Sequence, residues 1–240
     1  MKKAVLILLA AGMFVAVLVA KAPAWLLLDT IRGQVPGLAL GPASGTVWQG
    51  DIDSVRFQQF SVGGVAWHLR PWALFGHAPL AISTQTPVRA SALLGVTGEQ
   101  QLVLTDSSVE GEIGPLLAAA GLPSMGFEGQ FSLKLSSATL AAQGCNSLDG
   151  QLRIAGLRGD IAGIDSLGAI VAALSCRGGA VRLSIDENNP NRVRGSLTVS
   201  GDGRTRGQIT LSPPPGSELF LSLRDFLGQP RNGKDFVIRL

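Results

Sequence analysis

Apolar and polar residues alternate along most of this chain. Residues 65–70 are a clean case, with Val65, Trp67 and Leu69 on one side and Ala66, His68 and Arg70 on the other. A period of two marks a strand with one buried face. Residues 127–135 repeat it, with Phe131, Leu133 and Leu135 in phase, and so do residues 150–155, 181–186 and 219–223. The plainest pair is RGSLTVS (residues 194–200) with RGQITLS (residues 206–212), joined across Gly201-Asp202-Gly203. That Asp-Gly step predicts a hairpin. Further strands are expected at residues 80–90 (ending near Pro87), 98–105, 109–113 and 236–240, with a turn at Asp106-Ser107-Ser108. Helical turns are expected at residues 116–120, between Pro115 and Gly121, and at residues 223–227, capped by Ser222 and stopped by Gly228. Residues 160–174 fit a helix or a pair of small-residue strands.

In the clear strands one face is Leu, Ile, Val or Phe and the other Arg, Ser, Thr or Gln. That is the pattern of an antiparallel sheet wetted on one side, not of the continuous apolar strands of a parallel one. Roughly ten or more such strands twist and curl. The expected fold is mainly β: an N-terminal membrane helix, then a large twisted, mostly antiparallel sheet, half-barrel or sandwich-like, with a few short helices.

The N-terminus breaks the alternation. Lys2 and Lys3 precede an uncharged apolar run, residues 4–20, which Lys21 closes. At about 1.5 Å per residue the run spans about 25 Å, and residues 22–28, which carry no charge, leave room for it to extend beyond Lys21. It is longer than most signal-peptide cores and at the short limit for a membrane helix. Basic residues in front place the N-terminus in the cytoplasm, and Trp25 suits an interfacial anchor. Ala20-Lys21-Ala22 and Ala22-Pro23-Ala24 have the form of cleavage sites, but Pro23 after the first cut is unfavourable. The expected organisation is therefore residues 1–24 as cytoplasmic lysines and an uncleaved anchor, and residues 25–240 as a periplasmic β-rich domain.

Charge and composition then narrow the function. The net charge of +3 loses its apparent meaning, because all 17 acidic residues follow Lys21 and an equal number of basic ones do. The excess flanks the apolar run, and no clustered basic stripe points to nucleic acid. Only 15 % of residues are charged and 46 % are apolar, enough to bury a core. Cys145 and Cys176 are the only cysteines. An even count in an exported domain favours a disulfide, the alternative being two buried thiols. The pair forms no C-x-x-C, so neither redox chemistry nor zinc is indicated.

Candidate chemistry is sparse. His68 and His77 have no Cys or paired carboxylate at ligand spacing. Ser124, in G-L-P-S-M-G, misses the nucleophile elbow. Residues 201–207 have one residue too many for a G-x-G-x-x-G cradle. Asp51 and Asp53 face the same side of a strand and read as a solvated edge, and residues 186–191 read as a solvated turn. No catalytic constellation, metal site or cofactor site is expected.

The aromatic weight lies in one stretch. SGTVWQG (residues 44–50) and V-x-W-x-L-x-P-W-A-L-x-G (residues 65–76) hold Trp48, Trp67 and Trp72. Gly45 and Gly50 bracket a short β-favouring run, which suits a backbone that turns sharply around one large aromatic. Pro71 ends the following strand, and residues 72–75 fit a helical turn stopped by Gly76. This pairing resembles type II secretion system protein N, an accessory component of the bacterial general secretion pathway. The L-x-x-F-L-G-Q-P-x-x-G of residues 223–233 agrees with it.

The resemblance implies a non-enzymatic, inner-membrane-anchored component making protein contacts in the periplasm. Its expected partners are the inner-membrane platform and the secretin. Trp48, Trp67 and Trp72 are the candidate contacts, with exposed sheet edges beside them. The alternative is a carrier of lipid or another apolar ligand on a curved sheet. The two differ in whether Phe131, Leu133, Leu197, Val199, Ile209 and Leu211 are covered.

Overall fold

The computed structural model describes residues 2–32, 37–57, 60–70, 80–97, 99, 101–115, 126–141, 143–160, 162–201 and 204–239. The expected turns at residues 72–76 and 116–120 lie outside them, as do Trp72, His77, Ser124 and the Asp202-Gly203 step. Two compact units form, Met1–Thr86 and Pro87–Leu240.

The first unit starts with α1 (Lys2–Ala20) and α2 (Ala24–Arg32), followed by β1 (Leu38–Leu40), β2 (Ala43–Gly45), β3 (Gln49–Phe57), β4 (Phe60–Leu69) and β5 (Leu80–Thr84). β3 is central: β1 and β2 line one side of it, β4 the other, and β5 pairs with β4, all antiparallel. β1 and β2 are in effect one edge interrupted at Gly41-Pro42. Proline has no N–H for a ladder and is tolerated on an edge. Its carbonyl still accepts from Asp53 N–H at 3.0 Å, and Gly41 N–H reaches the Ser54 carbonyl at 2.8 Å.

The uncharged residues 22–28 do not lengthen the first helix. Pro23 cannot continue a helical ladder, so the chain breaks after Lys21 and restarts as α2. That second helix turns Ala24 and Leu28 inward, where they pack with Ile52 and Trp67 under Leu40, Val55 and Ile82. The side chains of α1 are bare from residue 6 on among the described residues, with Leu6 65 % and Met13 73 % exposed. Those side chains begin at residue 6 and rise about 22 Å, against about 30 Å for a bilayer core. Among the described residues, no helix is long and apolar enough to cross a membrane.

The second unit is a meander of β6 (Arg89–Val96), β7 (Leu102–Glu112), β8 (Glu128–Ala141), β9 (Gly144–Arg158), β10 (Ile170–Arg177), β11 (Ala180–Ile185), β12 (Arg194–Val199), β13 (Thr205–Leu211) and β14 (Phe236–Arg239). Each strand runs antiparallel to the next, and among the described residues β14 does not pair back with β6, so the ladder is open. The β12–β13 hairpin forms as the sequence predicts, with Leu197 opposite Gly207.

Several boundaries differ from the sequence reading. Residues 80–90 split into β5 and the start of β6, because the chain leaves the ladder around Pro87. Residues 102–112 form one strand, not two: Asp106 takes φ 45°, and the β6–β7 register slips between Ser91 and Leu93. Aspartate tolerates that left-handed backbone, so a turn signal becomes a bulge. Residues 160–174 resolve into a 3₁₀ turn (Ile164–Leu167) and β10.

Residues 219–223, whose alternation reads as a strand, belong to α3 (Glu218–Leu227). Its cap is Ser217, not Ser222: the Ser217 hydroxyl accepts from Phe220 N–H at 3.2 Å. Gly228, at φ 85°, ends the helix and donates to the Arg224 carbonyl at 2.9 Å. α3 and the 3₁₀ turn cover one end of the apolar sheet face. Leu219 and Leu223 meet Ile164, Leu167, Val193, Leu211 and Phe236 there. The Phe220 and Phe236 rings meet edge to face at 5.3 Å. A helix, not a second sheet, supplies this cover, so the sandwich-like alternative is not what forms.

Candidate functional site

The tryptophan corner is a tight β2–β3 hairpin, the sharp turn around an aromatic that the bracketing glycines suggest. Thr46 N–H donates to the Gln49 carbonyl at 2.8 Å, and Gln49 N–H returns to the Thr46 hydroxyl at 3.2 Å. These bonds close the turn over Val47 and Trp48, and Gly45 and Gly50 pair directly beneath. Gly45 sits at φ 91°, and any Cβ there would collide with the Gln49 carbonyl. A Cβ on Gly50 would stand 2.5 Å from the Trp67 ring. The two glycines thus let the hairpin close and let an indole lie flat against it.

The candidate contact residues have different fates. Trp67 is 7 % exposed and belongs to the core, with its indole N–H donating to the Val47 carbonyl at 3.1 Å. Its surface is taken up by the hairpin it supports. Trp48 is half-buried, and its indole N–H reaches back to the Val19 carbonyl at the end of α1, at 2.8 Å. Val47 N–H donates to the Ala22 carbonyl at 2.9 Å, and Pro23 and Thr46 form an isolated bridge. Gln49, Asp51, Asp53 and His68 are exposed around the corner, and Ser44 donates to Asp51 at 2.7 Å. Sequence reasoning found the corner but missed its bond to Val19, since no spacing rule links an indole to a backbone carbonyl far back in the chain.

The second unit carries an apolar face in continuous register. One row runs Leu135, Gly150, Leu174, Leu183, Leu197, Gly207 across β8 to β13. Its neighbour runs Leu133, Leu152, Ala172, Ile185, Gly195, Ile209, Ile238. Of the residues that separate the two sequence readings, Phe131 and Leu211 are buried, and Ile209 packs against the α3 cluster. Leu133, Leu197 and Val199 are only half-buried and lie outside that cluster. Cys145 and Cys176 are joined as a disulfide, Cα atoms 5.5 Å apart, tying the start of β9 to the end of β10.

One electrostatic knot anchors the last strand. Ser212 donates to Asp235 at 2.6 Å, and Arg194 reaches Ser212 at 3.1 Å and Asp235 at 3.5 Å. The Ser212 hydroxyl, helped by Arg194 and Lys234 and opposed by burial, holds the Asp235 carboxyl below its ordinary value. Among the described residues, no group of three or more His, Cys, Asp or Glu is placed to hold a metal.

The sequence profile described as "Type II secretion system (T2SS), protein N" matches residues 36–239. The chain belongs to the type II secretion system protein N family. It is 27 % identical over 215 residues to a type II secretion system protein N of Pectobacterium carotovorum subsp. carotovorum, an overlap of 86 % of this chain and 82 % of that one. No solved structure matches it. Membership makes this protein N homologue a component of a protein-secretion machinery of the cell envelope, with other components of that machinery as its partners. The family is one of structural secretion components, not a family known for catalysis.

Proposed function

We propose that this chain is a non-enzymatic accessory component of the type II machinery, held in the inner membrane by α1 and making protein contacts in the periplasm. The family match over residues 36–239 carries the reading. The bare, all-round apolar surface of α1 supports the anchor, since a helix apolar on every side needs a buried or lipid environment. Lys2 and Lys3 put its start on the cytoplasmic side. Without its two lysines the helix keeps 17 residues, about 25 Å, at the short limit for a hydrocarbon core. Contacts are expected at the corner, where Trp48 offers aromatic surface beside exposed Gln49 and His68, and at Trp72. The inner-membrane platform and the secretin are the partners we propose.

A photo-crosslinking residue at Gln49 or His68 in cells tests this. Discrete adducts with platform components or the secretin are the expected result. Equal, diffuse labelling at both positions and at an unrelated exposed site such as Gln151 overturns it.

A second reading has its own observation. Leu133, Leu197 and Val199 leave the apolar face half-open where α3 does not reach. Such a face suits an acyl chain. Phospholipid adducts concentrated at Leu197, without defined protein adducts elsewhere, would favour a lipid carrier over the assembly role.

A further inference from the structure

Every helix end leaves backbone carbonyls without intrahelical partners. At the end of α1 two of these groups, the Val17 and Val19 carbonyls, are taken up by the protein itself. Val17 accepts from Lys21 N–H at 3.0 Å, and Val19 accepts from Ala22 N–H at 3.3 Å and from the Trp48 indole at 2.8 Å. The Ala22 carbonyl accepts from Val47 N–H at 2.9 Å. The Trp67 indole in turn holds the Val47 carbonyl from the core. The chain between α1 and α2 is therefore strapped to the β2–β3 hairpin, not left as a tether.

The strap fixes what lies beside it. In α2, Ala24 and Leu28 face the core, which turns Trp25 outward with 57 % of its surface exposed. An exposed indole four positions after a lysine, just past an apolar helix, has the chemistry of the membrane–water boundary, where an apolar ring and a polar N–H are both satisfied. Carbonyls satisfied by protein donors also suit a depth at which water is scarce.

We propose that the first unit docks on the bilayer surface, with Trp25 at headgroup level, and that the Trp48 corner is the clamp setting this pose. The occupant of the Trp25 face is the lipid surface itself, because Trp25 lies just past the end of the apolar α1, with Lys21 as the one charged residue between them. The proposal rests on the reading that α1 enters the membrane. Trp48 acts as a positioning residue, through Val19.

The test uses the full chain reconstituted in phosphatidylethanolamine–phosphatidylglycerol vesicles. Flotation in alkaline carbonate reads anchoring. Tryptophan quenching by lipids brominated near the headgroup or near the chain ends reads depth. The wild type is expected to float and to be quenched more by the shallow bromines, and Trp25→Phe is expected to lose most of that quenching while still floating. Trp48→Phe keeps the ring but not the donor, and is expected to float with the Trp25-dependent shallow-to-deep ratio moved towards unity. A floating protein whose quenching is unchanged by Trp25→Phe overturns the docking and leaves the anchor standing. A protein that does not float overturns both. An unchanged ratio in Trp48→Phe overturns the clamp.

Discussion

At the scale of single residues, the corner depends on an indole fitting a glycine. Trp67 lies where Gly50 has no Cβ, and it donates to Val47. Trp67→Phe removes that hydrogen bond and is expected to destabilise the protein by about 1 kcal/mol. Trp67→Ala also empties the core and is expected to cost about 3–5 kcal/mol. Denaturant unfolding monitored by circular dichroism separates the two, and equal losses would mean that packing contributes nothing there.

Asp235 yields a pH prediction. Its folded pKa lies below the ordinary 3.8. A depressed carboxyl stabilises the fold above its unfolded pKa, and the gain disappears as pH falls through the lower folded value. The melting-temperature gap between wild type and Asp235→Asn is therefore expected to be full above about pH 5 and to close as pH drops below about 3.8. A gap that stays constant down through this range would show that the Ser212–Asp235 bond does not depend on charge. Ser212 and Arg194 were not legible as its partners in the sequence. Arg194 is an ordinary polar strand residue and Ser212 lies just past β13, and only the ladder from β12 to β14 brings them to Asp235.

At the scale of elements, the disulfide and α3 hold opposite ends of the second sheet. The bridge closes a separation of 31 residues between β9 and β10. Cys145→Ser together with Cys176→Ser is expected to cost roughly 3.5–4 kcal/mol by chain entropy. Equilibrium unfolding of the double variant, compared with the oxidised, disulfide-bonded wild type, checks this, and a loss under about 1 kcal/mol would show that the bridge barely constrains the unfolded chain.

The misread elements share a cause. Residues 219–223 alternate like a strand, yet Leu219 and Leu223 are also four apart and share a helix face. The pattern serves both periods. What decided between them was the Pro213-Pro214-Pro215-Gly216 break and the cap at Ser217 behind it. The break was visible in the sequence. That its end would serve as a cap was not, because Ser222 competes for the role on residue type alone.

At the scale of whole units, cover over the apolar sheet face is uneven. The α3 end buries Leu219, Leu223 and Phe236, while Leu197 and Val199 stay half-open. Amide exchange measured peptide by peptide is expected to be slowest in β13, β14 and α3 and faster across residues 197–199, since opening follows local burial. Uniform protection across the second unit would mean that something else covers the open end.

Local physics determined most of the strands, the wetted and apolar faces, the hairpin at residues 194–212 and the aromatic corner. These depend on side-chain period, turn chemistry and residue type, which neighbours in the chain set. The motifs of residues 44–50 and 65–76 pointed to the family for the same reason: they record a local backbone path. Tertiary structure alone decided that Trp67 is core while Trp48 reaches Val19, that Asp106 makes a bulge, and that a helix covers one end of the sheet. Those outcomes turn on which distant surfaces meet, and a period names a face without saying what will lie against it.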